Sequence, residues 1–380
     1  MAKGGFRGHA GLPVGGGGGE WNETYIFADF RSRCNVHYRL NLEEPMRFRQ
    51  LTAVAAGLAL AVTAISPAQA SVTRTRAGST SDVSRSSWSG PAFTMNGSGA
   101  VVDASMRRAI DTIRGGTGSL DVVVLAGSTP SSGSSTPECD AVTRLPGVNS
   151  CTTWVLTRAS DGDDTRVNAD VRNAEFVYFA GGDQCRYAAW KGTALQASVQ
   201  SVIAKGGGAG GGSAGTHINS SIVYNGCGAS VDSRTALDDP YSPDITFTTG
   251  MFSWPNYANT INDSHFVTRD RMGRLMAFTA RAVADHLTKN VAAWGVGVEE
   301  GGSLFLDRTG LATLYGEDAY IVVADHQPER AEPGRALTYY GFKIWRLNPG
   351  STFDFRNRPS SGYYTRDVIT GEPDGSLYTP

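Results

Sequence analysis

The feature that most constrains this chain is a serine set among glycines, since residues 211–215 read GGSAG with Ser213 in the middle. This fits the pattern G-x-S-x-G, in which a nucleophile lies on a sharp turn between a strand and a helix. Small flanking residues are needed there because the backbone must fold tightly to leave the hydroxyl exposed. The longer run 206–213 is equally typical of a flexible linker, so the motif alone leaves both interpretations open.

The neighbouring segments favour the turn. Residues 176–179 (FVYF) form a short apolar run that predicts a strand, and 193–204 predict a helix with Thr193 as its N-cap. After Ser213, residues 216–224 can continue as a helix. A strand, a helix, a glycine-rich strand, a turn and a helix in this order predict a parallel α/β unit with the serine at the carboxyl edge of the sheet.

Length and charge bound the class of protein. The chain has 380 residues, of which 40% are hydrophobic and 18% charged, enough for one large globular domain with a substantial core. The formal net charge of −2 gives no electrostatic argument for nucleic acid or an anionic membrane as a partner.

An export signal is predicted inside the chain. Residues 46–50 (MRFRQ) are basic, 51–65 are apolar, and 66–70 (SPAQA) end in an A-x-A cleavage site. The apolar run is too short and too rich in alanine to favour a membrane span. We therefore expect translation to start at Met46, with 1–45 a non-native upstream segment and 46–70 a signal peptide; an internal signal anchor is the alternative. The mature protein would begin at Ser71 and be secreted, extracellular or periplasmic, with no membrane span.

The mature chain would keep four cysteines, Cys139, Cys151, Cys185 and Cys227. In an oxidising compartment they predict two disulfides, for which three connectivities exist. The first two would close a surface loop, and the last two would tie the segment after 181–184 to the end of the helix that follows the serine. Neither pair has the C-x-x-C spacing typical of zinc or thioredoxin-like chemistry.

Composition divides the mature chain into a tether and one domain. Residues 71–89 are rich in Ser, Thr and Arg and predict a flexible tether, whereas 90–380 predict a single domain. Within it, 226–262 form a long irregular stretch of the kind that is usually functional or mobile. The alternating patterns at 319–323 and 337–347 predict antiparallel edge strands.

A serine nucleophile needs a base within hydrogen-bond reach and an acid that orients the base. The mature chain has four histidines. His265 stands between the long loop and a helix, where catalytic groups at strand ends collect, and is our candidate. His217 lies one turn beyond Ser213 and is interpreted as structural, and His286 as a helix cap or surface residue. His326, in a polar turn, remains an alternative base.

Two adjacent carboxylates, Glu299 and Glu300, follow a predicted buried strand at 292–298. Because side chains alternate along an extended chain, only one of them can face the histidine. We choose Glu300 as the acid and expect Glu299 to be a solvated rim residue. The order serine, histidine, acid differs from the serine, acid, histidine order of α/β-hydrolases.

These residues resemble the cyanophycinase and aspartyl dipeptidase family of serine peptidases, and the similarity runs from about Pro91 to the C-terminus. Four blocks in the family's order carry it: 181–184 (GGDQ) with Arg186, 211–215 (GGSAG), 263–275 (DSHFVTRDRMGRL) and 295–300 (GVGVEE).

The resemblance implies an α/β fold, a flavodoxin-like or class I glutamine amidotransferase-like three-layer sandwich with a mostly parallel sheet and antiparallel C-terminal edge strands. It also implies a triad of Ser213, His265 and Glu300. Backbone amides near Gly182 and Ala214 would form the oxyanion hole, and no metal or organic cofactor would be needed.

The resemblance further implies that Gln184, Asp263, Arg269, Arg271 and Arg274 bind the backbone of an aspartyl substrate. Guanidinium groups suit a free α-carboxylate, although the arginines alone are also typical of a solvated helix face. The substrate would be a peptide or isopeptide, with cyanophycin among the candidates. The sequence does not determine the oligomeric state, and a homodimer is one alternative.

Three positions depart from the family. Gly212 stands where the family has threonine and Thr216 where it has alanine, which bears on the rigidity of the turn. Ser264 replaces the glutamine typical of cyanophycinases, which leaves the substrate open between cyanophycin and other aspartyl peptides. Two other functions remain as alternatives: an esterase that pairs Ser213 with His326, and a secreted binding protein that keeps the pocket without the chemistry.

Overall fold

The computed structural model describes residues 72–128, 135–289 and 292–380, all within one structural unit, Ile65–Pro380. The predicted upstream segment 1–45, the signal peptide 46–70 and the mature start at Ser71 lie outside the described residues. No helix in the described ranges is long and apolar enough to cross a membrane.

A mixed sheet of nine strands forms the centre of the described structure. In sheet order the strands are β1 (Val72–Gly78), β4 (Val148–Leu156), β3 (Leu120–Ala126), β5 (Phe176–Phe179), β6 (Gly208–Gly212), β2 (Ala92–Asn96), β11 (Ser303–Asp307), β12 (Leu311–Tyr315) and β15 (Thr352–Asp354). The five strands from β4 to β2 run parallel, and the strands at both sides are antiparallel to their neighbours.

A second sheet contains most of the C-terminal strands. Its members are β17 (Glu372–Pro373), β16 (Tyr364–Ile369), β14 (Tyr339–Leu347), β13 (Ala319–Ala324), β10 (Ala293–Val298) and β9 (Thr260–Asp263), in this order. Only β9 and β10 pair in parallel here. A separate antiparallel pair consists of β7 (Ile222–Tyr224) and β8 (Phe247–Thr249).

Helices cover both faces of the parallel core. The α-helices of the described residues are α1 (Asp103–Arg114), α2 (Pro137–Val142), α3 (Thr165–Asn173), α4 (Gln184–Ala188), α5 (Ala194–Ala204), α6 (Ala214–Ile218), α7 (Ser233–Asp238) and α8 (Met272–Ala284). Of these, α8 packs on β9, β10 and β13 of the second sheet, and α7 packs on α8. Val122 and Val124 of β3 pack in the cluster that contains α1, whereas Val123 and Leu125 pack in the cluster that contains α3 and α5. A strand covered on both faces is a nearly continuous apolar run rather than an alternating one, and β3 has such a sequence, LDVVVLA, with every residue buried.

The fold class predicted from sequence is confirmed: this is an α/β protein with a parallel core between two layers of helices, consistent with a flavodoxin-like fold. The antiparallel part extends further than edge strands, since the strands at 319–324 and 339–347 build the second sheet. The stretch 226–262 is also more ordered than predicted, because it contains α7, β8 and the start of β9.

The predicted tether at 71–89 is wrong for its first part. Val72–Gly78 form β1, which pairs along its whole length with β4, and Arg74 Nε lies 2.8 Å from Asp170 Oδ2. Further along, Trp88 is buried. Backbone pairing along the open edge of a sheet satisfies the peptide groups without apolar side chains, so a polar composition did not reveal the strand.

Four strands end at the same place and position the site. Ser213 follows β6, Gly182 lies three residues beyond β5, His265 lies two residues beyond β9, and Glu300 lies two residues beyond β10. Ligands of open α/β sheets collect at the carboxyl ends of parallel strands. Here the two sheets bring their carboxyl ends to one site.

Candidate active site

The glycine-rich run is a strand rather than a linker. Gly208–Gly212 are fully buried in β6 and pair in parallel with β5 and β2. Ser213 then adopts φ 54° and ψ −115°, a conformation that costs a non-glycine residue about 1 to 3 kcal/mol and persists only where the surroundings impose it. The helix that follows is shorter than predicted, because α6 ends at Ile218 and Ile222–Tyr224 form β7.

Close packing explains the residues around the serine. A Cβ at Gly212 would lie 2.1 Å from the Ser98 carbonyl oxygen, and one at Gly215 would lie 1.9 Å from the Phe179 carbonyl oxygen. The Thr216 hydroxyl lies 2.6 Å from the Asn96 carbonyl oxygen and 2.8 Å from that of Gly211. Glycine at 212 and threonine at 216 therefore belong to a tightly packed turn, and neither loosens it.

His265 lies between Ser213 and Glu300. Its Nε2 is 2.8 Å from Ser213 Oγ, and its Nδ1 makes a short hydrogen bond with Glu300 Oε1. A carboxylate on Nδ1 favours the tautomer with the proton there, which leaves Nε2 free to accept the serine proton. Burial lowers the pKa of His265, the hydrogen bond to Glu300 opposes this effect, and the charges of Arg269 and Arg271 lower the pKa further. The imidazole is therefore neutral at neutral pH, as a base must be.

The alternative base, His326, is engaged elsewhere. Its Nδ1 lies 3.0 Å from Asp325 Oδ1 and 3.0 Å from the Tyr339 hydroxyl, at the end of β13. The described structure contains no contact between His326 and Ser213, so it offers no support for a serine–histidine pair at this position.

The two segments predicted to supply oxyanion-hole amides both border Ser213. An ideal Cβ on Gly181 would lie 3.7 Å from Ser213 Cβ, so the chain beyond β5 passes directly beside the serine. Gly182 has φ 138° and open space around it. Ala214 is the first residue of α6, where amides have no acceptor within the helix.

A polar cavity of about 250 Å³ opens beside the serine. It is lined by Gly182, Asp183, Gln184, Ser213, Ala214, His217, Gly226, Ser230, Ser264, Arg269, Arg271 and Arg274. Of the sequence-predicted binding residues, the structure thus brings Gln184 and the three arginines to the cavity.

Asp263 is the exception, because it lies behind the cavity wall and is fully buried. Arg274 binds it through two contacts, Nε to Oδ2 at 2.7 Å and Nη2 to Oδ1 at 2.5 Å. Burial alone would raise the pKa of Asp263, but the charge and hydrogen bonds of Arg274, with His217 and Arg271, hold it below its usual value. The predicted ligand contact by Asp263 is therefore replaced by a supporting role beneath the arginines.

The three arginines differ in how far their guanidinium groups are already paired within the protein. Arg274 is almost fully buried and neutralised by Asp263. Arg271 donates from Nη1 to the Ser264 carbonyl oxygen at 2.8 Å, and burial lowers its pKa to about 10. Arg269 is exposed, and its side chain makes no hydrogen bond or ion pair among the described residues. Arg269 and Arg271 are therefore the cations available to a ligand.

His217 lies in the cavity wall without reaching the serine. Its Nε2 is 3.3 Å from Ser264 Oγ and 3.5 Å from Asp263 Oδ1. Burial lowers its pKa to about 3, so the ring is neutral, and Nδ1 has no hydrogen-bond partner among the described residues. The ring also packs edge-on against Tyr224. These contacts agree with the structural interpretation of this histidine.

Sequence reasoning missed the contacts of Glu299. The residue is partly exposed, as expected at a rim, but its carboxylate also accepts hydrogen bonds from Val267 N, from Thr268 N at 3.0 Å and from the Thr268 hydroxyl. The signal was the pair of adjacent glutamates at the end of a strand, of which only one could reach the histidine.

Two disulfides are present, Cys139–Cys151 and Cys185–Cys227. The first ties α2 to β4. The second ties α4 to the loop after β7, and the residues beside its two cysteines, Gln184 and Gly226, both line the cavity. Two disulfides are compatible with an oxidising compartment. No group of three or more His, Cys, Asp and Glu side chains in the described ranges is placed to hold a metal ion.

Comparison with known proteins gives no family model and no curated protein that matches this chain. Among solved structures, a peptidase from an acI-B1 Actinobacterium is similar with 16% identity and a TM-score of 0.45, over 71% of this chain and 98% of that one. A candidate Peptidase E protein from Listeria monocytogenes EGD-e is similar with 12% identity and a TM-score of 0.38, over 60% of this chain and 98% of that one. Likeness at this level carries no argument about function.

Proposed function

We propose that this chain is a cyanophycinase-like serine peptidase that hydrolyses aspartyl or β-aspartyl (isopeptide) bonds. The observation that carries the proposal is the hydrogen-bonded series Ser213, His265, Glu300, formed by a serine in a strained turn. Strained non-glycine residues beside a cavity are a mark of functional sites.

The chemistry follows from this geometry. His265 Nε2 takes the hydroxyl proton as Ser213 Oγ attacks the carbonyl carbon, and Glu300 stabilises the imidazolium that forms. The negative oxygen of the tetrahedral intermediate is bound by the amides of Gly182 and Ala214. His265 then donates its proton to the leaving nitrogen as the C–N bond breaks. Water, deprotonated by the same histidine, hydrolyses the acyl-enzyme and restores the serine.

The cavity supports a substrate that carries a carboxylate near the scissile bond. Arg269 lines the cavity without a carboxylate partner among the described residues. Arg271 also lines it, 3.5 Å from Asp263, whose carboxylate Arg274 binds at shorter distances. Guanidinium groups bind carboxylates through charge-assisted hydrogen bonds, which are stronger than neutral ones. A free α-carboxylate, as in an aspartyl unit, fits this wall.

We also propose that the enzyme acts after export. Removal of 46–70 would release a chain that begins at or within a few residues of Ser71, and oxidation would form the two disulfides. N-terminal sequencing of secreted material tests this step, and residues 1–45 still attached would contradict it.

The test of the activity combines a probe with a substrate panel. The exported wild-type chain is treated with a fluorophosphonate, which labels an activated serine, and is incubated with cyanophycin, aspartyl peptides, β-aspartyl peptides and simple esters. We expect labelling that Ser213→Ala abolishes, and cleavage confined to the aspartyl and β-aspartyl substrates. Cleavage of esters alone would indicate an esterase, and absence of both labelling and cleavage would indicate a binding protein.

A further inference from the structure

Glu299 lies beside the proposed catalytic machinery without belonging to it. It directly follows β10 and precedes Glu300. One of its carboxylate oxygens accepts the amides of Val267 and Thr268, and the other accepts the Thr268 hydroxyl. Three donors from two consecutive residues converge on a single carboxylate.

Those donors belong to the turn that carries the base. His265 stands at the start of this turn with φ 48°, a conformation that is uncommon for a non-glycine residue. The turn closes through Arg269 N to the His265 carbonyl oxygen at 3.0 Å and Arg271 N to the Phe266 carbonyl oxygen at 2.8 Å. Glu299 thus holds the backbone of the turn at residues 267–268, between His265 at the start of the turn and the cavity arginines, which begin at Arg269.

The backbone of Glu299 is itself held in place by hydrogen bonds. Its amide donates to the Asp318 carbonyl oxygen at 3.0 Å, and its carbonyl oxygen accepts from Gly302 N at 2.9 Å. That carbonyl also lies so close to Gly97 that a Cβ there would approach it to 1.8 Å. The Gly97 carbonyl oxygen in turn accepts a hydrogen bond from the His265 amide at 2.8 Å. The backbones of His265 and Glu299 therefore both pack against Gly97, directly after β2.

We propose that Glu299 is a positioning residue for His265 and Arg269. Its carboxylate holds the backbone of the 265–269 turn, while the neighbouring Glu300 holds the imidazole ring. This inference rests on the proposed function, because the consequence of the turn's position is measured through Ser213 reactivity. An error of about 1 Å in the position of a catalytic group can cost on the order of a hundredfold in rate.

The test compares three variants with wild type. Glu299→Gln removes the charge and one acceptor oxygen, and Thr268→Val removes only the hydroxyl contact. Glu317→Gln is the control, because Glu317 is an exposed carboxylate on the neighbouring turn, in contact range of Gly301. Thermal unfolding of each variant establishes that the fold is retained.

Two rates separate the two ends of the turn. The rate of fluorophosphonate labelling reports on His265, since the probe carries no carboxylate, whereas kcat/KM on a carboxylate-bearing aspartyl peptide reports on both ends. We expect Glu299→Gln to lower labelling about tenfold to a hundredfold and kcat/KM by more. Thr268→Val should lower both by a smaller factor, and the Glu317 control should match wild type.

The pH profile of labelling gives a reading that a loss of stability alone does not move. The charged or titratable groups that act on His265 are Glu300, Arg269, Arg271 and, across the cavity, His217. Burial is the largest influence and lowers the pKa of His265. If Glu299→Gln releases the turn to water, the acidic limb of the profile should move to higher pH.

Two negative results are distinguishable. If wild type is neither labelled nor active, the proposed function and the role of Glu299 are both overturned. If wild type is labelled and Glu299→Gln and Thr268→Val react with wild-type rates and pH profiles, only the positioning role is overturned. Should Glu299→Gln not fold, an unchanged labelling rate in Thr268→Val overturns the role by itself.

Discussion

The two edges of the parallel core both bury carboxylates, but they differ in how completely their charged side chains are paired. At the amino edge, Glu175 accepts the Asp121 amide at 2.9 Å and lies 3.2 Å from Lys205 Nζ. Asp121 accepts Val83 N at 2.9 Å and the Asn149 amide group at 2.8 Å. Each carboxylate at this edge is held by several fixed donors, which is the pattern of a structural network.

The carboxyl edge contains residues with strained backbones and a charged side chain without a partner. Ser213 and His265 both have positive φ, and Arg269 has no partner among the described residues. Arg274 and Asp263 beneath them form a closed pair that resembles the amino edge. The difference between the edges therefore lies in backbone strain and in a charged side chain without a partner.

The largest expected effect breaks the carboxyl edge at its centre. Ser213→Ala and His265→Ala should each lower turnover by roughly three orders of magnitude or more, because nucleophile and base act as a unit. For the same reason the double mutant should be little worse than either single one. Steady-state kinetics on an aspartyl peptide measures this, and independent, multiplicative losses would contradict the triad.

A second prediction concerns the closed pair. Arg274→Met leaves the Asp263 carboxylate buried without its main partner, which costs about 3 to 5 kcal/mol in the free energy of unfolding. Chemical denaturation should show this loss, and Asp263→Asn, which leaves the buried Arg274 guanidinium without its carboxylate, should show a loss of similar size. Arg274→Met with wild-type stability would show that the pair is not the structural element that its burial indicates.

How much the sequence revealed follows the same division. The apolar run at 176–179 and the serine motif predicted the parallel α/β unit and the turn, because these patterns are local. The edge strand β1 was missed because its pairing depends on the open edge of β4, which no local pattern reports. Asp263 was assigned to ligand contact because a motif identifies residue types, whereas only packing shows that Arg274 covers it.

The neighbouring glutamates make the same point at a finer scale. Alternation along a strand predicted that a single carboxylate would reach His265, and Glu300 does. What the other would contact depended on the turn 265–269, which is distant in sequence, begins at His265 and is followed by Asp270, and both of these residues have positive φ. The catalytic and binding roles themselves remain predictions until activity is measured.

A third prediction tests the amino edge through pH. Burial raises the pKa of Glu175 to about 7, although the Asp121 amide and Lys205 oppose the shift. Between about pH 4.5 and 7 the unfolded chain loses this proton and the folded chain keeps it, so stability falls as pH rises, by about 3 kcal/mol in all. Glu175→Gln should flatten this part of the stability curve. An unchanged slope in the variant would locate the pH dependence elsewhere.

The smallest expected effect concerns Arg269 and Arg271 and tests whether these two arginines bind a substrate carboxylate. Arg269→Met and Arg271→Met keep much of the side-chain bulk but remove charge-assisted hydrogen bonds, worth roughly 1.5 to 3 kcal/mol each. Since about 1.4 kcal/mol corresponds to a factor of ten, kcat/KM on a carboxylate-bearing substrate should fall about tenfold to a hundredfold. The buried Arg271 should cost more than the exposed Arg269, where water screens the charge.

The matched substrate has its α-carboxylate amidated. Wild type should lose a similar factor on it, and each methionine variant should lose little more, because the charge that the arginine binds is then already absent. Labelling of Ser213 by the fluorophosphonate should survive in both variants, since the probe has no carboxylate. If both variants discriminate between the two substrates as strongly as wild type does, neither arginine binds the substrate carboxylate, and the carboxyl edge recognises its substrate through other groups.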